Sequence, residues 1–316
     1  MGPTLAIAFG AGLASALLFA TLASGNPLAI VLFYFAALPV LIAGLGWGHY
    51  AGGFASAIGA LALSLALRSQ LGLFFFFSIG LPAWILTYLA LTVRPQPTAA
   101  DPAAVQWCPP GLLLSVIGVC AVALTLFGMA VLFGLDFDAY QASLRAAVDQ
   151  TLRQMTSADA ETQATLAAFM TAAVPVAAAI VWTFVTALNL FVAGRIVRAS
   201  GRLARPWPDL PSMRLPRWMA GALLAGSLAS FAPGVIGHVG IIVMAVGLAV
   251  FALAGFALAH DVTRGWGMRG FALGLLYAIT FIIGWPMIFV ALAGLADVLF
   301  NLRDKRQAPP SAPSNT

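Results

Sequence analysis

The sequence predicts an all-α fold: a polytopic transmembrane helical bundle of about nine spans (eight to ten), with one amphipathic helix outside the bilayer. Three observations carry this. Hydrophobic residues make up 62% of the chain and charged residues only 8%. The apolar residues fall into blocks of about 20, the length a helix needs to cross a hydrocarbon core of roughly 30 Å. Within each block the apolar run is continuous rather than alternating, which selects helices over a barrel. A mean hydropathy of +0.99 leaves no room for a large water-soluble portion.

The elements follow in order. The N-terminal block, 4–22, lacks the basic flank of a cleavable signal peptide and is read as a retained first span. Further spans are expected at 27–46, 51–67, 72–93, 111–133, 166–193, 218–231, 239–259 and 271–296. Turn-formers and charges separate many of them, including Gly25-Asn26-Pro27, Arg94-Pro95, Pro109-Pro110-Gly111 and Ala232-Pro233-Gly234. The organisation is therefore 1–134, N-terminal spans; 135–165, an external helical segment; 166–300, C-terminal spans with an Arg-rich loop at 194–217; and 301–316, a disordered tail.

Within 135–165, Phe137, Tyr140, Leu144, Val148, Leu152 and Met155 recur every three or four positions. Asp138, Arg145, Asp149 and Arg153 lie on the opposite face, so this is an amphipathic helix at the membrane interface or the bundle's end. It is either a solvated cap on the bundle or a lid over a cavity. The loop at 194–217 holds Arg195, Arg198, Arg202, Arg205, Arg214 and Arg217 among the 15 basic residues of the chain. Prolines at 206, 208, 211 and 216 keep it irregular. Basic loops collect on the cytoplasmic side facing anionic lipid, which places the N-terminus inside and the acidic helix outside. The loop offers only Trp207 as an interleaved aromatic, so a nucleic-acid partner is not expected.

Nine full spans would put the basic tail Arg303-Asp304-Lys305-Arg306 outside, against the charge rule. A break of the last block at Gly284-Trp285-Pro286 resolves this, since Pro286 removes a backbone donor and clashes within a helix. The sequence admits both solutions, nine spans or eight with a re-entrant hairpin.

No Walker lysine, Gly-rich nucleotide loop, Ser/His/Asp set or paired catalytic carboxylate is present, so neither ATP use nor enzymatic activity is expected. No two histidines have a local ligand spacing, and Cys108 and Cys120 are too far apart along a helix for a good disulfide. No catalytic, cofactor-binding or metal residues are assigned. Two constellations remain. Trp182, Thr183, Thr186 and Asn189 place hydrogen-bonding groups along the sixth span, and Trp285 marks the last block. They are candidates for binding a small polar ligand, or for bonding between helices. Gly44, Gly48 and Gly52 recur every fourth residue and let backbones approach closely, either inside the bundle or on a surface that docks another membrane subunit.

Two stretches together resemble the YybS-like family, bacterial multi-pass membrane proteins of unknown function. One runs from Asn189-Leu190-Phe191 through Arg195 to Asp209-Leu210-Pro211-Ser212-Met213-Arg214-Leu215-Pro216-Arg217-Trp218. The other is Gly294-Leu295-Ala296-Asp297-Val298-Leu299-Phe300-Asn301-Leu302-Arg303. Residues 39–59 are similar to the early spans of substrate-binding subunits of energy-coupling-factor vitamin transporters, and to the rod-shape membrane protein MreD. The first resemblance implies a bacterial inner-membrane location. The second implies a subunit that binds a vitamin or metal cargo and relies on a separate transmembrane coupling protein and ATPases. The expected function is a transporter-like binding subunit in contact with the lipid bilayer, a partner subunit and a small-molecule cargo. The alternative is a scaffold of an envelope-assembly complex, which predicts a solid bundle.

Overall fold

The computed structural model describes residues 2–67, 69–97, 104–133, 136–155 and 159–303. Parts of the expected external segment (135 and 156–158) and of the expected tail (304–316, with its basic residues) lie outside the described residues. The fold is all-α, as expected, with one short hairpin that the sequence did not suggest. Where one compact bundle was expected, the chain divides into two compact units, at residues 1–208 and 209–316.

The first unit begins with α1 (Gly2–Ala20), ended by a 3-10 turn at Thr21–Ser24. Asn26 then caps α2 (Pro27–Tyr34), its side chain accepting the Leu28 N–H at 2.9 Å, with Pro27 in the first turn where its missing donor costs nothing. The second span does not continue as one helix. It stops at Tyr34 and restarts as α3 (Leu38–Trp47). The cause is Pro39, which has no N–H for the Phe35 carbonyl and whose ring disfavours helical backbone before it. Gly48, at φ +96°, turns the chain into α4 (His49–Ala66).

The fourth span is irregular for the same reason. Between α5 (Ser69–Phe75) and α6 (Leu81–Ala90) the backbone widens into a π-helical turn, Phe76–Gly80. Pro82 cannot donate to the carbonyl of Ser78, four residues back. An antiparallel hairpin, β1 (Val93–Pro95) with β2 (Val105–Trp107), leads to α7 (Pro110–Phe133). The expected amphipathic helix is α8 (Phe137–Met155). Asp159 caps α9 (Ala160–Ala199), accepting from the Thr162 N–H at 2.9 Å.

At 40 residues α9 is about 60 Å long, twice the hydrocarbon thickness. It takes in the end of the expected external segment and the start of the expected loop, so Arg195 and Arg198 sit on its last turns. Cations there complement the helix dipole, and Glu161 does so at the other end. The core of this unit mixes large side chains such as Leu41, Phe75, Leu86 and Ile117 with small residues at the close helix contacts. A Cβ on Gly12 would lie 2.5 Å from the Ala55 carbonyl oxygen, which shows how closely α1 and α4 approach.

In the second unit a 3-10 turn (Leu210–Ser212) precedes α10 (Trp218–Ala229) and α11 (Gly234–Val262). The last apolar block is broken, as one of the two solutions required, into α12 (Arg269–Ile283) and α13 (Met287–Phe300). Gly284 sits at φ +83° in the break. α13 packs on α11 through Gly255 and Gly294, where added Cβ atoms would fall 1.9 Å from the Val290 carbonyl oxygen and 2.2 Å from that of Phe251. Past α13, Arg303 is buried and holds Asp297 at 3.0 Å, while also donating to the Pro211 carbonyl at 2.6 Å. Burial lowers the Arg303 pKa, and the Asp297 carboxylate opposes that effect.

Seven helices among the described residues are long and apolar enough to cross a membrane, and α10, α12 and α13 are shorter apolar helices. The expected count of about nine therefore meets seven full-length helices plus three short ones.

Candidate functional site

The two proline-disturbed spans of the first unit face one another across a cavity of about 530 Å³, within the usual range for small-molecule pockets. Its walls come from α2 and α3 (Phe33, Tyr34, Leu41), the π turn and α6 (Ser78, Pro82), α7 (Thr125, Gly128, Met129) and α9 (Pro175, Trp182, Thr186). Tyr140 of α8 also lines it and is 7% exposed. Burial pushes the Tyr140 hydroxyl above its ordinary pKa. The amphipathic helix thus reaches the cavity through an aromatic side chain. Most lining side chains are aliphatic or aromatic, so the site suits a largely apolar molecule better than the small polar ligand expected from the sequence.

The polar residues of α9 explain why irregular backbone is tolerated here. In a span every backbone carbonyl needs a partner inside the protein. Where α2 ends, Phe35 N–H turns back to the Leu32 carbonyl and Ala36 N–H to that of Phe33, while Leu38 N–H takes Phe35. Two carbonyls are left over, and side chains from other helices satisfy them. Asn189, 1% exposed, donates its Nδ2 to Tyr34 at 2.8 Å and to Val185 of its own helix at 2.8 Å. Ser15 donates its hydroxyl to Ala36. The π turn is served in the same way. The Trp182 indole donates to the Ser78 carbonyl at 3.0 Å, and the Ser56 hydroxyl donates to that of Gly80 at 2.9 Å.

Each predicted residue now has a place. Trp182 and Thr186 line the cavity. Asn189 lies just behind its wall with its amide nitrogen fully engaged. Thr183 is buried and bonds back to the Ala179 carbonyl at 2.8 Å. Trp285 belongs to the second unit, where it is 63% exposed and stands edge-on to Phe289. Gly44 and Gly52 face Thr87: a Cβ on Gly44 would lie 2.6 Å from its Cγ2, and one on Gly52 would lie 3.2 Å from its Oγ1. The space beside both glycines is filled by the same chain, the intramolecular packing that the spacing allowed. Gly48 makes the turn between α3 and α4 instead.

Sequence reasoning missed Ser78 and Tyr140 at the cavity. Ser78 had a signal, since it stands four residues before Pro82. Its hydroxyl is buried and without a partner among the described residues. Among those residues, no three His, Cys, Asp or Glu side chains gather into a metal-binding group.

No curated protein and no solved structure matches the chain. A family model described as "Predicted membrane protein (DUF2232)" matches residues 12–298, nearly the whole span pattern including every wall of the cavity. The chain belongs to this DUF2232 family of predicted membrane proteins.

Proposed function

We propose that the protein is a binding subunit for a small, largely apolar molecule, held in the cavity between α2, α3, the π turn, α7 and α9 and covered by Tyr140 of α8. It acts by binding rather than by catalysis. A separate membrane partner supplies energy, because the chain carries no nucleotide motif of its own. The setting is the bacterial inner membrane with the N-terminus on the cytoplasmic side, in keeping with the Arg-rich connection and the family resemblance.

One observation carries this reading: two spans are broken beside the cavity, and their carbonyls are capped by side chains from other helices. Discontinuous helices in membranes occur where backbone is buried in protein or lines a cavity. A scaffold has no use for a half-open cavity of this size, so the cavity supports binding over scaffolding.

The test uses Gly128, which lines the cavity from α7 and has nothing within 4 Å of an added Cβ. Gly128→Phe starts from an unobstructed Cβ and adds a ring to the cavity wall. With purified protein in mild detergent and N-phenyl-1-naphthylamine as an apolar probe, the wild type binds saturably. The variant loses about tenfold or more in affinity. Its melting temperature does not fall, since a glycine is removed from a helix interior. Equal affinity in a folded Gly128→Phe protein refutes the cavity as the binding site.

A further inference from the structure

At the C-terminal end of α9 the chemistry changes from apolar to cationic. Arg195 and Arg198 lie on the last turns of α9, with guanidinium carbons 5.8 and 5.4 Å from the ring centroid of Trp207. Arg202, three residues beyond the helix, stacks its guanidinium over Trp47 at 4.7 Å. Distances within about 6 Å are those of cation–π contacts, which hold a planar guanidinium in one orientation and leave its N–H edges free to donate. The Trp207 ring in turn rests on Gly194, where a Cβ would meet it at 3.2 Å. Arg205 anchors the same connection by donating to the Ala90 carbonyl at 3.2 Å.

Among the described residues these charges have no acidic counterpart. Arg195, Arg198 and Arg202 are exposed and make no ion pair among the described residues. The acidic residues described in this unit are Asp136, Asp138, Asp149, Asp159 and Glu161. The last two sit at the opposite end of α9, about 50 Å away along the helix. Asp209, which follows the connection, is engaged by Arg264 at 2.5 Å. Trp47 ends α3, and the Trp207 ring packs back beside Gly194 near the end of α9, the region where aromatic rings mark the headgroup level of a bilayer.

We infer that Arg195, Arg198 and Arg202, ordered by Trp207 and Trp47, form a binding site for the phosphodiester headgroup of an anionic phospholipid. Three oriented forks match phosphate oxygens with charge-assisted hydrogen bonds, and the rings lie at the depth of the ester region. A zwitterionic lipid brings its own ammonium group to the same place and gains less. This site is independent of the cavity and stands whether or not the cavity binds a ligand.

The experiment reconstitutes the full chain in nanodiscs of mixed phosphatidylglycerol and phosphatidylcholine, and reads the lipids retained by native mass spectrometry after release. Wild-type protein keeps phosphatidylglycerol preferentially. R195Q/R198Q/R202Q lowers that preference on the order of a hundredfold, about fivefold per guanidinium, with helix content by circular dichroism unchanged. R195K/R198K/R202K keeps the charge but loses the stacked fork, and falls between the two. Undiminished preference in the Gln variant overturns the site, and full preference in the Lys variant overturns the role of the stacked geometry. Inorganic phosphate alone, titrated into detergent-purified protein, leaves tryptophan fluorescence unchanged. A saturable change that also displaces the lipid overturns the headgroup assignment in favour of soluble phosphate.

Discussion

The two units of the chain break their helices in different ways. In the first, the backbone departs from the α-helix at 35–37 and at 76–80, and the carbonyls of Tyr34, Ala36, Ser78 and Gly80 accept from Asn189, Ser15, Trp182 and Ser56. Every one of those donors lies on another helix or outside the broken segment. In the second unit the break at 284–286 is closed by its own turn: Gly284 N–H reaches Thr280, Trp285 reaches Ile283, and Met287 reaches Gly284. A break repaired from a distance ties several helices to one geometry. A break repaired locally leaves its neighbours free of it. Only the first kind borders the cavity, and that is the reason to read the cavity as built rather than left over.

The comparison is broken most severely at Asn189. Asn189→Leu keeps the branched shape of the side chain, with bulkier methyl groups, but removes the donor that the Tyr34 carbonyl takes from α9. Leaving one buried acceptor unpaired costs about 2 kcal/mol, near the upper end for hydrogen bonds between membrane helices. The loss is read as destabilisation in reversible unfolding from mild detergent. Pro39→Ala restores an N–H to position 39 and permits one continuous second span, in which Tyr34 finds its acceptor role filled by Leu38. The cost of Asn189→Leu therefore shrinks by more than half in the Pro39→Ala background. An additive cycle shows that Asn189 does not serve the break.

Trp182→Phe is smaller and separates capping from lining. Phenylalanine keeps an aromatic wall but loses the Nε1 donor to Ser78, so stability falls by about 1 kcal/mol. Affinity for the apolar probe changes less than fivefold, because the ring and not the indole nitrogen bounds the cavity. A binding loss as large as that of Gly128→Phe assigns the indole nitrogen to the ligand instead.

These residues also mark what the sequence displays and what it hides. The break at Gly284-Trp285-Pro286 was one of two solutions the sequence left open, and it could be raised at all because a glycine and a proline two residues apart act locally. The break at 35–37 was not, since Pro39 lies inside an uninterrupted apolar run and hydropathy is blind to backbone hydrogen bonding. Asn189 and Trp182 stood out as polar groups in a span, but their partners are carbonyls, which every residue carries and no sequence position advertises. The amphipathic face of α8 was plain in the spacing of Tyr140 and Leu144. That Tyr140 lines a cavity depends on how α8 folds back against α7 and α9, a tertiary fact. Gly44 and Gly52 announced close packing correctly, and the identity of the neighbour, Thr87 of the same chain, required the fold.

The smallest expected effect is at Trp285, and it tests the other side of the comparison. Its ring is largely exposed, it stands against the edge of Phe289 one turn on, and among the described residues no other helix donates to the turn it occupies. Trp285→Ala therefore changes unfolding stability by no more than about 0.5 kcal/mol, the range of a surface substitution. Probe affinity in the first unit is unchanged. A loss comparable to that of Asn189→Leu requires a distant partner for this break as well. The distinction between built and local breaks then collapses, and the capped carbonyls around the cavity lose their standing as a signature of function.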